Sequence, residues 1–398
     1  MLSIAEAWEQ VAAAVDGALE AERIRLEDAV DRVVAEEALS AVDLPPFDRS
    51  AMDGYAVRAA DTAPGVPLRL AGELAAGDVA TVPLEPGTVT GITTGAALPD
   101  GSDAILRSER AEVANGSVTP SEAVAPGLHV RYRGEDLRAG DVLARPGERL
   151  TLPRMSALAS AGVGEVAVYR RPALHVIATG SELLPIGAPP EPGRIHESNR
   201  LTIRIMAERG GAIVTDHGVI ADEPAATREA VAAGLEGDML VVSGGVSVGP
   251  HDLVKPAFDA CGVDEVFWRV SMKPGKPLFF GRRGSTLVFG LPGNPLSTIA
   301  GFMVFIEPAL RRLAGEAGAL PRWRRARLRT STSADDGRST LLTSRLVRGE
   351  DGMLEAVPTE RQGSHMTGAL GESDGFVLVH PEDGVLPAGA EVDALVLD

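Results

Sequence analysis

The stretches ALHVIATGSE (residues 173–182), MLVVSGGVSVGPHD (239–252) and LVFGLPGNP (287–295) decide the fold. Each is a short apolar run that ends in Gly, Ser, Asn or Pro. Such runs, bounded by turn residues, read as buried strands. Helical patterns lie between them. Residues 199–209 read as a helix, 213–220 as a strand and 251–260 as a second helix. Asp222, Glu223 and Pro224 supply an N-cap, an acidic first turn and an early-turn proline for a further helix. Residues 266–271 read as a strand, 278–281 and 287–290 as a hairpin around Arg283-Gly284, and 295–313 as a long apolar helix. Alternating strands and helices predict a mostly parallel sheet covered on both faces, with ligands beyond the carboxyl ends of its strands.

Outward from this centre the texture changes. Residues 1–40 read as helix: Leu2, Ile4, Trp8, Val11, Val15 and Leu19 follow the helical period, Ser3 and Glu6 form a capping box, and a second amphipathic stretch runs through Leu26, Val30, Val33 and Val34. Between Leu44 and Arg138, Pro and Gly punctuate short apolar runs, the pattern of strands and turns. Residues 150–161 read as helix again. Short alternating strands return after residue 320. The fold class is therefore α/β multidomain. Its expected parts are a discontinuous linking region (1–42 plus 139–171), an inserted β-rich domain (43–138), an α/β domain (172–316) and a C-terminal β domain (320–398).

The chain has 398 residues and a net charge of −18. That charge argues against nucleic acid and anionic membrane surfaces as partners. The single Cys261 excludes an internal disulfide. No apolar run is long enough to span a membrane, and no secretory leader pattern opens the chain, so a cytoplasmic location is expected.

Three loops carry the chemistry. They hold Gly180, Ser181 and Glu182 after the first strand, Ser243, Gly244, Gly245, Ser247 and Gly249 after the third, and Pro292, Gly293 and Asn294 after the last. Small-residue loops at helix starts expose backbone N–H groups and suit phosphate. No P-loop, G-x-G-x-x-G, H-E-x-x-H or G-x-S-x-G motif is present. Only three lysines, Lys255, Lys273 and Lys276, stand against 35 arginines. Lys273-Pro274-Gly275-Lys276-Pro277 would fix two ammonium groups close together, where an anion between them is favoured; a plain surface turn is the alternative. Trp268, Phe279 and Phe280 read as core, and Cys261 as a buried spectator.

At these residues the sequence resembles the molybdopterin molybdenumtransferase family, the MoeA-type enzymes that include the gephyrin E domain. The resemblance spans the chain. It is carried by residues 46–56 (PFDRSAMDGYA), Thr94-Gly95-Ala96, Arg133-Gly134-Glu135-Asp136, Thr179 to Glu182, Ser243 to Gly249 with Asp252, the lysine turn and Leu291 to Pro295. It implies a MogA-like central domain that binds molybdopterin, a C-terminal β-barrel, and a homodimer in which the partner's β-rich insert faces the pterin site. The implied reaction inserts molybdate into adenylylated molybdopterin and releases AMP, with Mg²⁺. Asp53, Asp222 and Asp252 match the positions implied for the metal or molybdate. Glu182, Lys273 and Lys276 are further catalytic candidates, and Thr94, Arg131, Asp136 and Ser364 are binding candidates. Molybdopterin adenylyltransferase and molybdoenzyme apo-proteins are the implied partners. A non-catalytic molybdopterin carrier or scaffold is the alternative reading.

Overall fold

A computed structural model describes residues 1–246, 252–334 and 337–397. At its centre lies a six-stranded sheet in the order Ile213–Ile220, Ala173–Thr179, Met239–Ser243, Thr286–Leu291, Phe279–Arg283, Asp264–Trp268. The first four strands run parallel. Phe279–Arg283 runs antiparallel to both of its neighbours. Side chains alternate across the sheet with period two. Val176, Val241 and Phe289 therefore enter one core with Ile203, Phe302 and Phe305. Ile177, Val242 and Val288 enter the other, with Val231, Val254 and Phe258. Both faces are covered, which is why these strands read as continuous apolar runs.

The long apolar helix read over 295–313 is divided. Pro295–Gly301 and Glu307–Leu313 are α-helical, and Phe302–Ile306 between them is a π-helix. Pro308 explains the break: it has no N–H for an α-helical bond, and the wider turn before it accommodates the loss.

Toward the N-terminus the single long helix is not found. Ile4–Ala13 is helical with the expected Ser3–Glu6 capping box. Its Ile4, Ala7, Trp8 and Val11 pack into the central core. Ala21–Arg25 is instead a strand, antiparallel to Glu165–Tyr169, and Leu26–Asp28 is one 3₁₀ turn. Leu26 and Val34 pack with Leu150, Leu158 and Val168 in a separate small core. The apolar spacing there comes from a strand and a turn entering one core from two directions. The helix read at 150–161 is present as Leu152–Ser160.

The insert is a six-stranded sheet in the order Ala104–Arg107, Gly54–Val57, Thr88–Ile92, Leu68–Leu74, Ser117–Pro120, Ala111–Ala114. In the C-terminal region Ser339–Arg348, Leu354–Pro358, Arg324–Leu328, Glu391–Val396 and Gly375–Val379 close into a five-stranded barrel. Closure leaves no open sheet edge in that ring. The short strand Met272–Lys273 joins it in parallel, with Lys273 opposite Thr340. The lysine turn thus sits where the α/β domain meets the barrel.

One ion-pair network ties the linking region to the end of the central domain. Glu316 accepts from Arg311 at 2.5 and 3.1 Å and from Arg149 at 2.5 Å. Burial pushes the Glu316 carboxyl up, but hydrogen bonds and charge from the two arginines outweigh it and bring it down to about 2 from 4.5. The stabilisation is complete above the unfolded value of 4.5 and is lost as pH falls toward about 2. The linkage is on the order of 3 kcal/mol. Glu316→Gln should therefore lower the urea midpoint at pH 7, and the gap from wild type should narrow below pH ~4.5. A gap constant from pH 7 to pH 3 would contradict this account.

Candidate active site

Register places the site. Ala178 is level with Ser243, and Ser243 is level with Leu291. Three adjacent parallel strands therefore end together, and their loops emerge at one edge. A cleft of about 510 Å³ opens there. Gly180, Glu182, Asp222, Ser243, Gly244, Gly245, Asp252, Pro292, Gly293 and Asn294 all line it. Ser181 is not among the lining residues, although Gly180 and Glu182 on either side of it are, and Ser247 and Gly249 lie outside the described residues.

Glycine is required in the middle loop. Gly244 has φ +95° and Gly245 φ +64°. A Cβ on Gly244 would lie 2.5 Å from the Thr179 carbonyl oxygen. One on Gly245 would lie 2.6 Å from Val254 Cγ2 and 2.9 Å from Thr179 Oγ1. The two loops touch backbone to backbone, and Gly244 N–H donates to Leu291 O at 2.9 Å. Thr179 Oγ1 is buried with no hydrogen-bond partner among the described residues.

Asn199 locks two of the loops together. It opens the helix Asn199–Arg209, is buried, and donates through Nδ2 to Ser243 Oγ at 2.9 Å and to Gly293 O at 2.8 Å. Sequence reading passed over it, together with His196, Glu197 and Ser198, which also line the cleft. The available signal was the polar run His196-Glu197-Ser198-Asn199 directly before a helix in a domain of apolar strands.

Asp222 does not cap its helix as expected. Glu223 occupies the N-cap position of Pro224–Gly234, without a side-chain cap bond. The Asp222 carboxylate instead accepts from the Ser181 N–H at 2.8 Å, and Ser181 Oγ accepts from the Asp222 N–H at 3.4 Å. The side chain is directed across to the first loop. Asp252 also departs from expectation: the helix after it begins at Val254, so Asp252 precedes it.

The charge balance of the cleft is unusual. Glu182, Glu197, Asp222 and Asp252 line it, and none of its described lining residues is lysine or arginine. Of the four, Glu197 is buried and offset by Arg200, whose backbone N–H donates to it at 2.8 Å and whose Nε lies 3.5 Å away. Two helices begin at lining residues, Asn199–Arg209 and Pro295–Gly301, and the positive dipole end of a helix start favours an anion. Asn294 donates through Nδ2 to Ser364 Oγ at 3.0 Å, joining the rim to a barrel loop. Gln362 straps that loop to the barrel through Thr343 and Thr359.

The remaining candidates lie elsewhere in this chain. Lys273 and Lys276 do not line the cleft, although Pro277 does. Lys255, read as part of a lysine cluster, pairs with Glu265 at 2.8 Å. Asp53 belongs to the insert. Its Oδ1 accepts from the Thr94 N–H at 2.6 Å and the Thr94 hydroxyl at 2.8 Å. Those bonds, the backbone one first, hold the Asp53 carboxyl below the usual range. Arg131 pairs in register with Arg49, and Asp136 N–H donates to Leu44 O at 3.0 Å. Among the described residues, no three His, Cys, Asp or Glu side chains cluster as a metal site. Asp53, Asp222 and Asp252 are thus not gathered within one chain.

Comparison with known proteins agrees with this architecture. Residues 2–162 match the model described as "MoeA N-terminal region (domain I and II)". Residues 175–312 match "Probable molybdopterin binding domain", and 325–397 match "MoeA C-terminal region (domain IV)". A molybdopterin molybdenumtransferase of Haemophilus influenzae is 33% identical over 98% of each chain. Molybdopterin molybdenumtransferase 2 of Mycobacterium tuberculosis is 37% identical over 73% of this chain and 75% of its own. The crystal structure of the molybdopterin biosynthesis MoeA protein from Pyrococcus horikosii has a TM-score of 0.85 at 31% identity, covering 100% of this chain and 99% of that one. A central domain with its ligand edge intact, an inserted N-terminal β region and a closed C-terminal barrel place this chain in the molybdopterin molybdenumtransferase family, as a transferase of molybdenum cofactor biosynthesis.

Proposed function

We propose that the chain takes adenylylated molybdopterin, transfers molybdenum from molybdate to its dithiolene and releases AMP, with Mg²⁺ as the metal. The observation that carries this reading is the cleft itself: backbone amides and helix starts at one sheet edge, four lining carboxylates, and no lining lysine or arginine among the described residues. A phosphoanhydride cannot enter such a cleft on charge alone. The donor set fits Mg²⁺, which takes one or two protein carboxylates and completes its shell with water and substrate phosphate. When bound, it would neutralise phosphate charge and act as a Lewis acid on the anhydride.

The protein's own groups then divide the work. Asp222 and Asp252 are the carboxylates placed to hold the metal or orient molybdate and water, with Glu182 as a further base or ligand. The Gly245 and Gly293–Asn294 backbones bind the anionic head of the substrate, while Gly180, Ser181 and Gly244 shape the loops around it, with the Ser181 and Gly244 N–H groups committed to Asp222 and Leu291. Water cleaves the anhydride and AMP leaves. The two dithiolene thiols bind molybdenum and give up their protons to one oxygen of molybdate, which leaves as water, with no change in the oxidation state of the metal. Asp53 and Thr94 serve the site of the partner subunit in a homodimer, since their own insert does not bring them to this chain's cleft. Lys273 and Lys276 stand beside the cleft at the barrel junction and attract the phosphates. Among the described residues no helix is long and apolar enough to cross a membrane.

AMP release from adenylylated molybdopterin should require both molybdate and Mg²⁺. Tight binding without release would favour the carrier reading. Asp53→Ala and Asp252→Ala should each abolish release yet still dimerise. Mixing and re-equilibrating the two variants should restore roughly a quarter of wild-type activity, because heterodimers then carry one intact composite site. No recovery would place both carboxylates in one subunit's site. Lys276→Ala should weaken binding of the adenylylated pterin by about threefold to tenfold, more at low salt; unchanged affinity returns that turn to the plain surface reading.

A further inference from the structure

Trp268 ends the edge strand Asp264–Trp268, half-buried and outside the cleft lining. Three contacts converge on it. Its indole N–H donates to Val246 O at 3.1 Å. Lys255 Nζ stands 3.8 Å from its ring centroid and 2.8 Å from Glu265 Oε2 on the same strand. The Arg269 guanidinium lies 4.1 Å from the ring centroid, and Arg269 adopts φ +80° to place it there.

These partners have one thing in common. Val246 follows the glycine pair Gly244–Gly245 beyond the strand Met239–Ser243, and Lys255 lies three residues beyond Asp252, in the helix Val254–Ala260. Val246 and Asp252 both line the cleft. Val246 is also wedged into the core, where a Cβ on Gly290 would meet its Cγ1 at 2.5 Å. We propose that Trp268 is a positioning residue for the reaction: it holds Val246 on one side of the cleft and, through Lys255, the helix start that follows Asp252 on the other, and so fixes Asp252 against the bound pterin. The inference rests on the proposed role of the cleft and of Asp252. It also gives Lys255 a role separate from phosphate binding. An ammonium can face an aromatic ring and a carboxylate at once, as a compact charge.

The test uses the full-length protein with Trp268→Phe, Lys255→Met and Lys255→Arg. Molybdopterin binding is followed by fluorescence, molybdate-dependent AMP release gives kcat and KM, and thermal midpoints are recorded. Trp268→Phe keeps the ring but leaves Val246 O without its donor, so pterin affinity should fall about threefold to tenfold. Lys255→Met keeps the apolar stem but loses the charge. Its kcat should fall about tenfold, with KM within about twofold, and Lys255→Arg should recover most of it. Wild-type affinity in Trp268→Phe together with wild-type kcat in Lys255→Met would overturn the proposal. So would losses that merely follow a lowered thermal midpoint and are not recovered by Lys255→Arg. Failure of the wild-type protein itself to release AMP would instead sink the proposed reaction, and the binding arm would still decide the role of Trp268.

Discussion

Everything at the ligand edge depends on one register: Ala178, Ser243 and Leu291 stand level on three adjacent parallel strands. Because the strands end together, their loops compete for the same space. The conflict is resolved by removing side chains. Gly244 packs directly on the Thr179 carbonyl, where a Cβ would lie 2.5 Å away. A slip of one residue in any of these strands would invert its inward and outward side chains. It would also carry the loop away from Asn199, whose amide reaches Ser243 and Gly293 together. The doubly covered sheet sets the register, and Asn199 converts it into a fixed arrangement of backbone donors.

That arrangement creates an electrostatic problem. Helix starts favour an anion, whereas Glu182, Asp222 and Asp252 oppose one, and Glu197 is offset by its pairing with Arg200. Asp222 is partly withdrawn from the conflict, since it accepts from the Ser181 N–H and braces the first loop. The lysine turn does not cancel the remaining charge inside the cleft. It lies at the barrel junction, held by pairing of Met272–Lys273 with Ser339–Arg348. A hard divalent cation shared with substrate phosphates satisfies both sets of groups at once. Under the proposed reaction, the cleft would therefore suit a phosphate that arrives with a metal better than a bare anion.

The central domain was legible because its strands are buried on both faces. Residues 173–179, 199–209, 213–220 and 239–243 could be bounded from apolar runs and turn residues alone. The N-terminal region was less legible. Leu26 and Val34 are spaced as on a helix, but they enter one small core from a turn and a following segment, and Ala21–Arg25 pairs across 140 residues of chain with Glu165–Tyr169. Within the site, glycine loops announced themselves through composition. Asn199 and Trp268 did not, because each acts through partners distant in sequence. Asp222 shows the opposite failure: its local setting suits an N-cap, and a tertiary hydrogen bond to Ser181 prevails.

Asp53 lies in the insert and does not line the cleft, so the proposed reaction requires a machinery divided between two bodies. Its carboxylate is already oriented by the Thr94 N–H and hydroxyl, within an insert that has its own sheet and its own core. Such bonds favour the charged form and fix the direction of its remaining acceptor capacity before any ligand arrives. A carboxylate oriented in this way needs no rearrangement to face a second surface. The cleft meanwhile has its amides and Asp252 but lacks the insert's carboxylate. Under the proposed homodimer each body supplies what the other omits. In that arrangement the acidic groups of the two bodies would need a bound cation between them to offset their repulsion.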